Sequence, residues 1–403
     1  MYRKKYVQSA SKGSAMVLVM IALVVLFATG VGLLSLGLRS RIFAIRNASG
    51  ITARCAADAG LTMAVFEMNE KLKVKPWDDS TLPQATDERL LNCDALFSYI
   101  LTGDIGNGYI IESVGKSNQA ERKVSSSLQL QGPFEPAIFT KTTINLKDGA
   151  TVDWYNYGED EKNLKVGTNS TEPASIDLKN GVTVNGDVVV GVGGDPDVVI
   201  RSGWATIAGE SYALTERYQL PPIIVPEWLQ LLPSQGTIKD DITITSSGKY
   251  DRINLKKGKI ITVDGPVVLY IIGDVIIKSS AELQVVGADT NPDASLTLYL
   301  GGDAEVKNSG AINNKARDAQ KVKIYGLDGC QSIILKNGSD FYGAIYAPNA
   351  DVEMMNSADV FGAVVAKSFE QKNSATFNYD ASLRDVSIND EAVRFVVKQW
   401  QEE

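Results

Sequence analysis

The chain has no histidine in 403 residues. That removes the commonest general base, the commonest transition-metal ligand and any Ser–His catalytic arrangement. Cysteine is nearly as scarce. Cys55, Cys93 and Cys330 stand far apart, give no zinc-binding spacing and define no disulfide framework. Two readings stay open: three buried thiols, or one Cys93–Cys330 bond in an oxidising compartment. The formal net charge is −8, and lysine and arginine form no stripe outside the flanks of one apolar run. This argues against a nucleic-acid partner, because phosphate binding needs clustered positive charge. Proline is missing before Pro76, and helical patterns are nearly missing between residues 137 and 385.

What is present begins with that apolar run. Ser14 to Leu38 are 25 consecutive uncharged residues, and a helix of that length spans a hydrocarbon core of about 30 Å. The run is too long for a secretory h-region and no A-x-A-like site follows it. Before it stands a short polar leader with Arg3, Lys4, Lys5 and Lys12, ending at Gly13; after it come Arg39, Arg41, Arg46 and Arg54 before any acid. Charge alone therefore leaves the orientation open. Ile42, Ile45, Ala48, Ala56, Ala59, Met63 and Phe66 continue an apolar, small-residue stripe at helical spacing. One long helix over 14–75 is expected, whose small residues let neighbouring helices approach. Plain anchoring and filament packing both fit it.

The leader ending in Gly13, the opening Ser14-Ala15-Met16-Val17-Leu18 and the later Cys55-Ala56-Ala57-Asp58-Ala59-Gly60-Leu61 resemble the PilX-type N-terminal region of type IV pilus minor pilins. The resemblance covers roughly residues 1–72. It implies a prepilin-type leader, 1–13, cut by a prepilin peptidase between Gly13 and Ser14. It implies an inner-membrane anchor, with the rest of the chain periplasmic or extracellular. Major pilins carry glutamate at the fifth mature position, where a neighbouring subunit's terminal amine pairs with it; here the position is Leu18. That departure fits a minor, initiating or tip subunit better than a bulk one.

Residues 76–136 read as a small α+β region: a polar surface connection with a short helix over 76–95, then a hairpin from Gly108–Gly115 and Lys123–Leu130. Pro133 and Pro136 mark a boundary. From 137 to 385 short strands alternate with Gly, Asn and Asp turns. A Gly-Asp-strand unit recurs at 186, 273 and 302, and Gly343-Ala344-Ile345-Tyr346-Ala347-Pro348 is echoed by Gly362-Ala363-Val364-Val365-Ala366-Lys367. Such short-period recurrence, with one short strand per face, predicts stacked coils of a right-handed parallel β-helix; a β-sandwich is the alternative. The order Gly-x-Ile-Tyr-Ala-Pro, Gly-x-Val-Val and Tyr379-Asp380-x-x-Leu383 is similar to an uncharacterised extracellular β-solenoid domain that commonly follows PilX-type N-termini. In that family a histidine often precedes the Tyr-Asp; here Asn378 stands there. In the tail, 386–403, Val393, Val396, Val397 and Trp400 fall at i, i+3, i+4 and i+7. With Asn389 as cap they predict an amphipathic helix closing the solenoid.

Candidate chemistry is sparse. The acidic run Gly158-Glu159-Asp160-Glu161 reads as a solvated loop. Asp289-x-Asn291-x-Asp293 begins like a calcium loop but has Ala294 in place of glycine and Leu300 in place of the bidentate glutamate. Gly191 to Asp197 is glycine-rich without Lys-Ser/Thr or a following helix, so it makes no phosphate cradle. No catalytic residue, metal or cofactor is expected, and the chain is read as a non-enzyme. Two functions stand. One is a minor pilin or assembly protein of a type IV pilus or type II secretion-like machine, packed with other pilin or pseudopilin subunits. Its solenoid makes structural or adhesive contact with a surface or polysaccharide. The other is a membrane-tethered carbohydrate-binding or carbohydrate-active β-helix that does not polymerise.

Overall fold

A computed structural model describes residues 14–156, 164–336, 340–355, 359–372 and 375–402. The leader with Gly13 and the acidic run at 158–161 lie outside them. The chain divides into two compact units, Met1–Gln129 with Phe395–Glu403, and Leu130–Arg394.

In the first unit α1 runs without interruption over Ser14–Lys71. Alanine, leucine and methionine favour it, no proline interrupts it, and Lys71 in its last turn suits the helix dipole. Strands β1 (Gln84–Arg89), β2 (Leu96–Asp104), β3 (Gly108–Ser117) and β4 (Ala120–Gln131) follow in sheet order, and the C-terminal strand Arg394–Glu402 joins the β4 edge. The expected hairpin is present, with Tyr109 opposite Leu128 and Ser117 opposite Ala120. The expected short helix over 76–95 is not: β1 occupies that stretch, with Gln84 opposite Ile100.

The expected C-terminal helix is also corrected, because Arg394–Glu402 is a strand. Its helical spacing loses to two tertiary demands. The open edge of β4 offers unpaired backbone groups, and Phe395 wedges against Trp77 and Tyr109, with ring centroids 5.7 and 5.2 Å away. Asn69 clamps the strand from α1: its Oδ1 accepts the Phe395 N–H at 2.8 Å and its Nδ2 donates to the Phe395 carbonyl at 3.1 Å. Trp400, on the apolar face of the expected helix, is 43% exposed.

The second unit is a parallel β-solenoid. Its ladders pair strands about one coil apart, and the parallel pairing of its described strands excludes two packed antiparallel sheets. The repeated Gly-Ala segment sets register: Gly343 lies on Gly362, Ala344 on Ala363, Ile345 on Val364, Ala347 on Ala366. Inward side chains such as Leu269, Leu298, Ile324 and Ile345 fill the core, all nearly inaccessible.

The coils do not stack in chain order. The first coil, 138–155, lies on the last, 360–380: Ile138 pairs with Val364, Ile144 with Phe369 and Val152 with Phe377. Coils 165–184 and 187–207 stack outward from it, ending at Ser211–Ala213. The chain then crosses back along one face through residues 214–236, starts again at Thr237 and winds inward to 380. That face carries an outward column in register: Tyr270, Tyr299, Tyr325, Tyr346, Val365, Phe139, Gly167, Val189, Tyr212. A column this apolar is unfavourable in water; the crossing segment covers it at Phe139 and Tyr346, and the residues before the C-terminal strand cover Tyr299, whose hydroxyl donates to Glu391 at 3.0 Å. Tyr218 packs on Phe139 with centroids 4.5 Å apart. The Tyr346 hydroxyl donates to the Pro221 carbonyl at 2.7 Å, and Asn169 exchanges two hydrogen bonds with the Tyr218 backbone. Pro221, Pro222 and Pro226 keep this segment out of the ladder, since proline has no N–H to give.

The Gly-Asp units are coil turns. At Gly302 an added Cβ would lie 2.7 Å from the Gly273 carbonyl carbon, and at Gly209 one would lie 2.6 Å from that of Gly186. Glycine stacks on glycine where coils approach most closely.

Candidate membrane and subunit interface

Over its first half α1 touches nothing. From Met16 to Ala48 every residue is exposed, and Gly30, Gly32 and Gly37 have no neighbour within 4 Å. Among the described residues this is the one helix long and apolar enough to cross a membrane. Its Thr29 side chain suits lipid: the hydroxyl donates to the Val25 and Leu26 carbonyls at 3.0 Å, back-bonding within the helix. Leu18 is 67% exposed on this surface. Ser14 opens the helix, and Gly13 lies outside the described residues.

The second half is two-faced. Ala53, Ala56, Ala57, Gly60, Leu61, Ala64 and Met68 are buried at helical spacing against the unit's own sheet. The approach is backbone-close. A Cβ on Gly115 of β3 would sit 1.9 Å from the Ala53 carbonyl oxygen, and one on Gly60 2.4 Å from Ser113 Oγ. The Ser113 hydroxyl donates to the Ala57 carbonyl at 2.7 Å. The Ala-Ala-Asp-Ala-Gly segment thus packs largely inside its own subunit rather than on a neighbouring helix. The opposite face stays open: Ile51, Met63 and Phe66 are exposed, as is Cys55.

The remaining sequence candidates are structural or stand apart. All three cysteines are free thiols, and the expected three buried thiols are corrected: only Cys330 is buried, Cys93 is half-buried and Cys55 is exposed. Burial pushes the Cys330 thiol up to about 12. Asn291 ties its turn to the previous coil through Nδ2 to Asp264 Oδ1, 2.8 Å, while its own Oδ1 accepts the Asp293 N–H. In the glycine-rich stretch Asp195 caps the single turn Pro196–Val199. Asn378 donates to the Val360 carbonyl. Tyr379 lies at the start of the solenoid, its hydroxyl 2.7 and 2.8 Å from the Phe134 and Glu135 carbonyls, and Asp380 caps the short helix Ala381–Arg384. No group of three or more Cys, Asp or Glu among the described residues is placed to hold a metal.

Two features escaped the sequence reading. The crossing segment was signalled only by its prolines amid Tyr218, Leu220 and Ile223. The second is Asp177, buried under Arg201 and Lys179; the Arg201 guanidinium holds its carboxyl below the usual range. Arg201 lines an open groove with Pro173, Pro196, Val198 and Ile207.

A family described as a domain of unknown function, DUF7305, matches residues 225–386. The match starts in the crossing segment and takes in the inward-winding coils. No curated protein matches the sequence. Three solved structures align over long stretches. The competence-associated pilin ComZ from Thermus thermophilus is 13% identical over 88% of this chain and 98% of its own, with a TM-score of 0.26. The ice-binding protein from the Antarctic ascomycete Antarctomyces psychrotrophicus is 14% identical over 60% of this chain and 93% of its own, with a TM-score of 0.23. An ice-binding protein from an Antarctic Flavobacteriaceae bacterium is 9% identical over 60% of this chain and 78% of its own, with a TM-score of 0.18. At such TM-scores these likenesses establish no shared role.

Proposed function

We propose that this chain is a membrane-anchored, pilin-type subunit: a minor pilin or assembly protein of a type IV pilus or type II secretion-like machine. The observation that carries the reading is the division of labour on α1. One face of its second half is locked to the unit's own sheet, whereas three apolar side chains away from that face, Ile51, Met63 and Phe66, stay uncovered beyond the span. A plain anchor has no use for apolar surface above the membrane, because water penalises it. Neighbouring pilin or pseudopilin helices would cover it.

In this reading the solenoid stands on the periplasmic or extracellular side and makes structural or adhesive contacts without catalysis. Leu18 leaves the subunit without the carboxylate that recruits a neighbour's amine. The chain is then scarce and terminal in the filament.

The test is the double variant Met63→Glu, Phe66→Glu, expressed with the other subunits of its machine. Both side chains are exposed, so the fold should hold while the protein disappears from sheared filaments. Immunogold labelling gives the position: label at ends supports a terminal subunit, and dense label along shafts refutes it. Wild-type protein that never leaves the membrane fraction would instead favour the non-polymerising carbohydrate-binding β-helix.

A further inference from the structure

Charge is distributed very unevenly. Eight of the 40 lysines and arginines precede Asp58, which is the first of the 48 acids. Three of the eight, Arg39, Arg41 and Arg46, follow closely on the apolar run and are fully outside the packed part of α1. A helix rises about 1.5 Å per residue, so they stand roughly 2–12 Å beyond the end of the run. That interval overlaps the headgroup layer, about 5–7 Å thick on each side, and arginine stems reach back toward it.

Arg54 provides the internal contrast. It lies in the packed region, its guanidinium is 5.3 Å from the Trp400 ring centroid, and Glu402 pairs with it at 3.3 Å. No ion pair of Arg39, Arg41 or Arg46 is seen among the described residues, and the nearest acid in sequence is Asp58. Residues 39 and 46 fall on one side of the helix and 41 on the other, so the positive charge forms a collar rather than a stripe.

We propose that Arg39, Arg41 and Arg46 form a binding collar for anionic phospholipid headgroups in the leaflet facing the folded units. Guanidinium groups take phosphate oxygens through paired N–H donors. Each arginine near a negatively charged surface is worth about five-fold in binding, and the effect falls with salt. The collar would set the depth of the helix and hold lipid at its exit from the membrane. This inference rests on the membrane-anchor half of the proposed function and not on its filament half.

The experiment uses the full chain extracted with mixed phosphatidylglycerol and phosphatidylcholine, with retained lipid counted by native mass spectrometry. Recovery in the membrane fraction is checked first, so a failed anchor is seen separately from a failed collar. Wild type should retain phosphatidylglycerol preferentially. The triple variant Arg39→Gln, Arg41→Gln, Arg46→Gln should lose that preference, and Arg54→Gln should keep it. Equal preference in wild type and triple variant would overturn the proposal, as would equal loss in Arg54→Gln. Displacement of the lipid by inorganic phosphate alone would also overturn the lipid assignment. So would a collar shielded by an acidic subunit, seen as loss of lipid when filament partners are present.

Discussion

The Asp274 carboxylate accepts the backbone N–H of Asp303, the aspartate in the same place one coil on, at 3.2 Å. Asp303 repeats the gesture, its Oδ1 accepting the N–H groups of Gln331 and Ser332 at 2.9 Å each. Asp187 does the same for Glu210. The recurring Gly-Asp pair is therefore a corner device. Glycine permits close stacking, and the carboxylate satisfies donors that the ladder leaves open at the turn.

Asp303→Ala should cost about 1–2 kcal/mol, because it strips two donors of a charged acceptor. Asp303→Asn should cost less, and Asp274→Ala, which removes one backbone hydrogen bond and an exposed 3.7 Å ion pair with Arg252 worth little, should lie between. Thermal unfolding of the purified chain in detergent measures the order; equal melting temperatures for all three variants would contradict it.

Gly362→Ala should be more damaging, about 3 kcal/mol. Gly362 has φ +152° and its added Cβ would lie 1.8 Å from the Gly343 carbonyl oxygen, a backbone atom that cannot rotate aside. A soluble yield and melting temperature equal to wild type would show that the coils are not so closely stacked there.

Alkali should unfold the solenoid through its tyrosines. Burial raises the hydroxyl pKa values of Tyr218, Tyr299, Tyr325, Tyr346 and Tyr379 above the ordinary value. A folded-state pKa above the unfolded one gives stability that is complete below about pH 10 and is lost as pH rises beyond it. Tyrosinate absorbance and loss of the β-sheet circular dichroism signal should therefore appear together. Tyrosinate forming well before the sheet signal changes would mean that the column is open to water.

Trp400→Ala should cost only about 1 kcal/mol, the scale of an exposed cation–π contact with Arg54. Arg54→Ala should cost slightly more, because it also releases Glu402, and the double variant should add little beyond Arg54→Ala, since the cation–π contact is already lost. A loss of several kcal/mol would place Trp400 in a packed core after all.

Processing is tested at the leader. Gly13→Val should block cleavage before Ser14, and intact-mass analysis of the wild-type chain from its native host should show a mature N-terminus at Ser14. A wild-type chain still beginning at Met1 would remove the prepilin reading while leaving the anchor intact.

The sequence by itself determined whatever depends on local composition or short repeats. The long uncharged run and the missing prolines fix α1. Alternation in Gly108–Gly115 and Lys123–Leu130 gives the hairpin. The repeated Gly-Ala-x-x-Ala segment places Gly343 over Gly362, because parallel stacking keeps side chains of equal position in one column. Leu18 is legible as a departure from the pattern of the pilin family that the N-terminal region resembles. Tertiary structure decided the rest. The tail had helical periodicity, but the β4 edge and the Trp77–Tyr109 pocket for Phe395 made it a strand. Small residues at 53–60 could have served a neighbouring helix or a sheet; Gly115 and Ser113, remote in sequence, chose the sheet. Nothing local announces that coil 138–155 rests on coil 360–380. That arrangement comes from two ladders of unpaired backbone groups meeting from opposite ends of the solenoid sequence, with the outward tyrosine column requiring a returning segment to cover it.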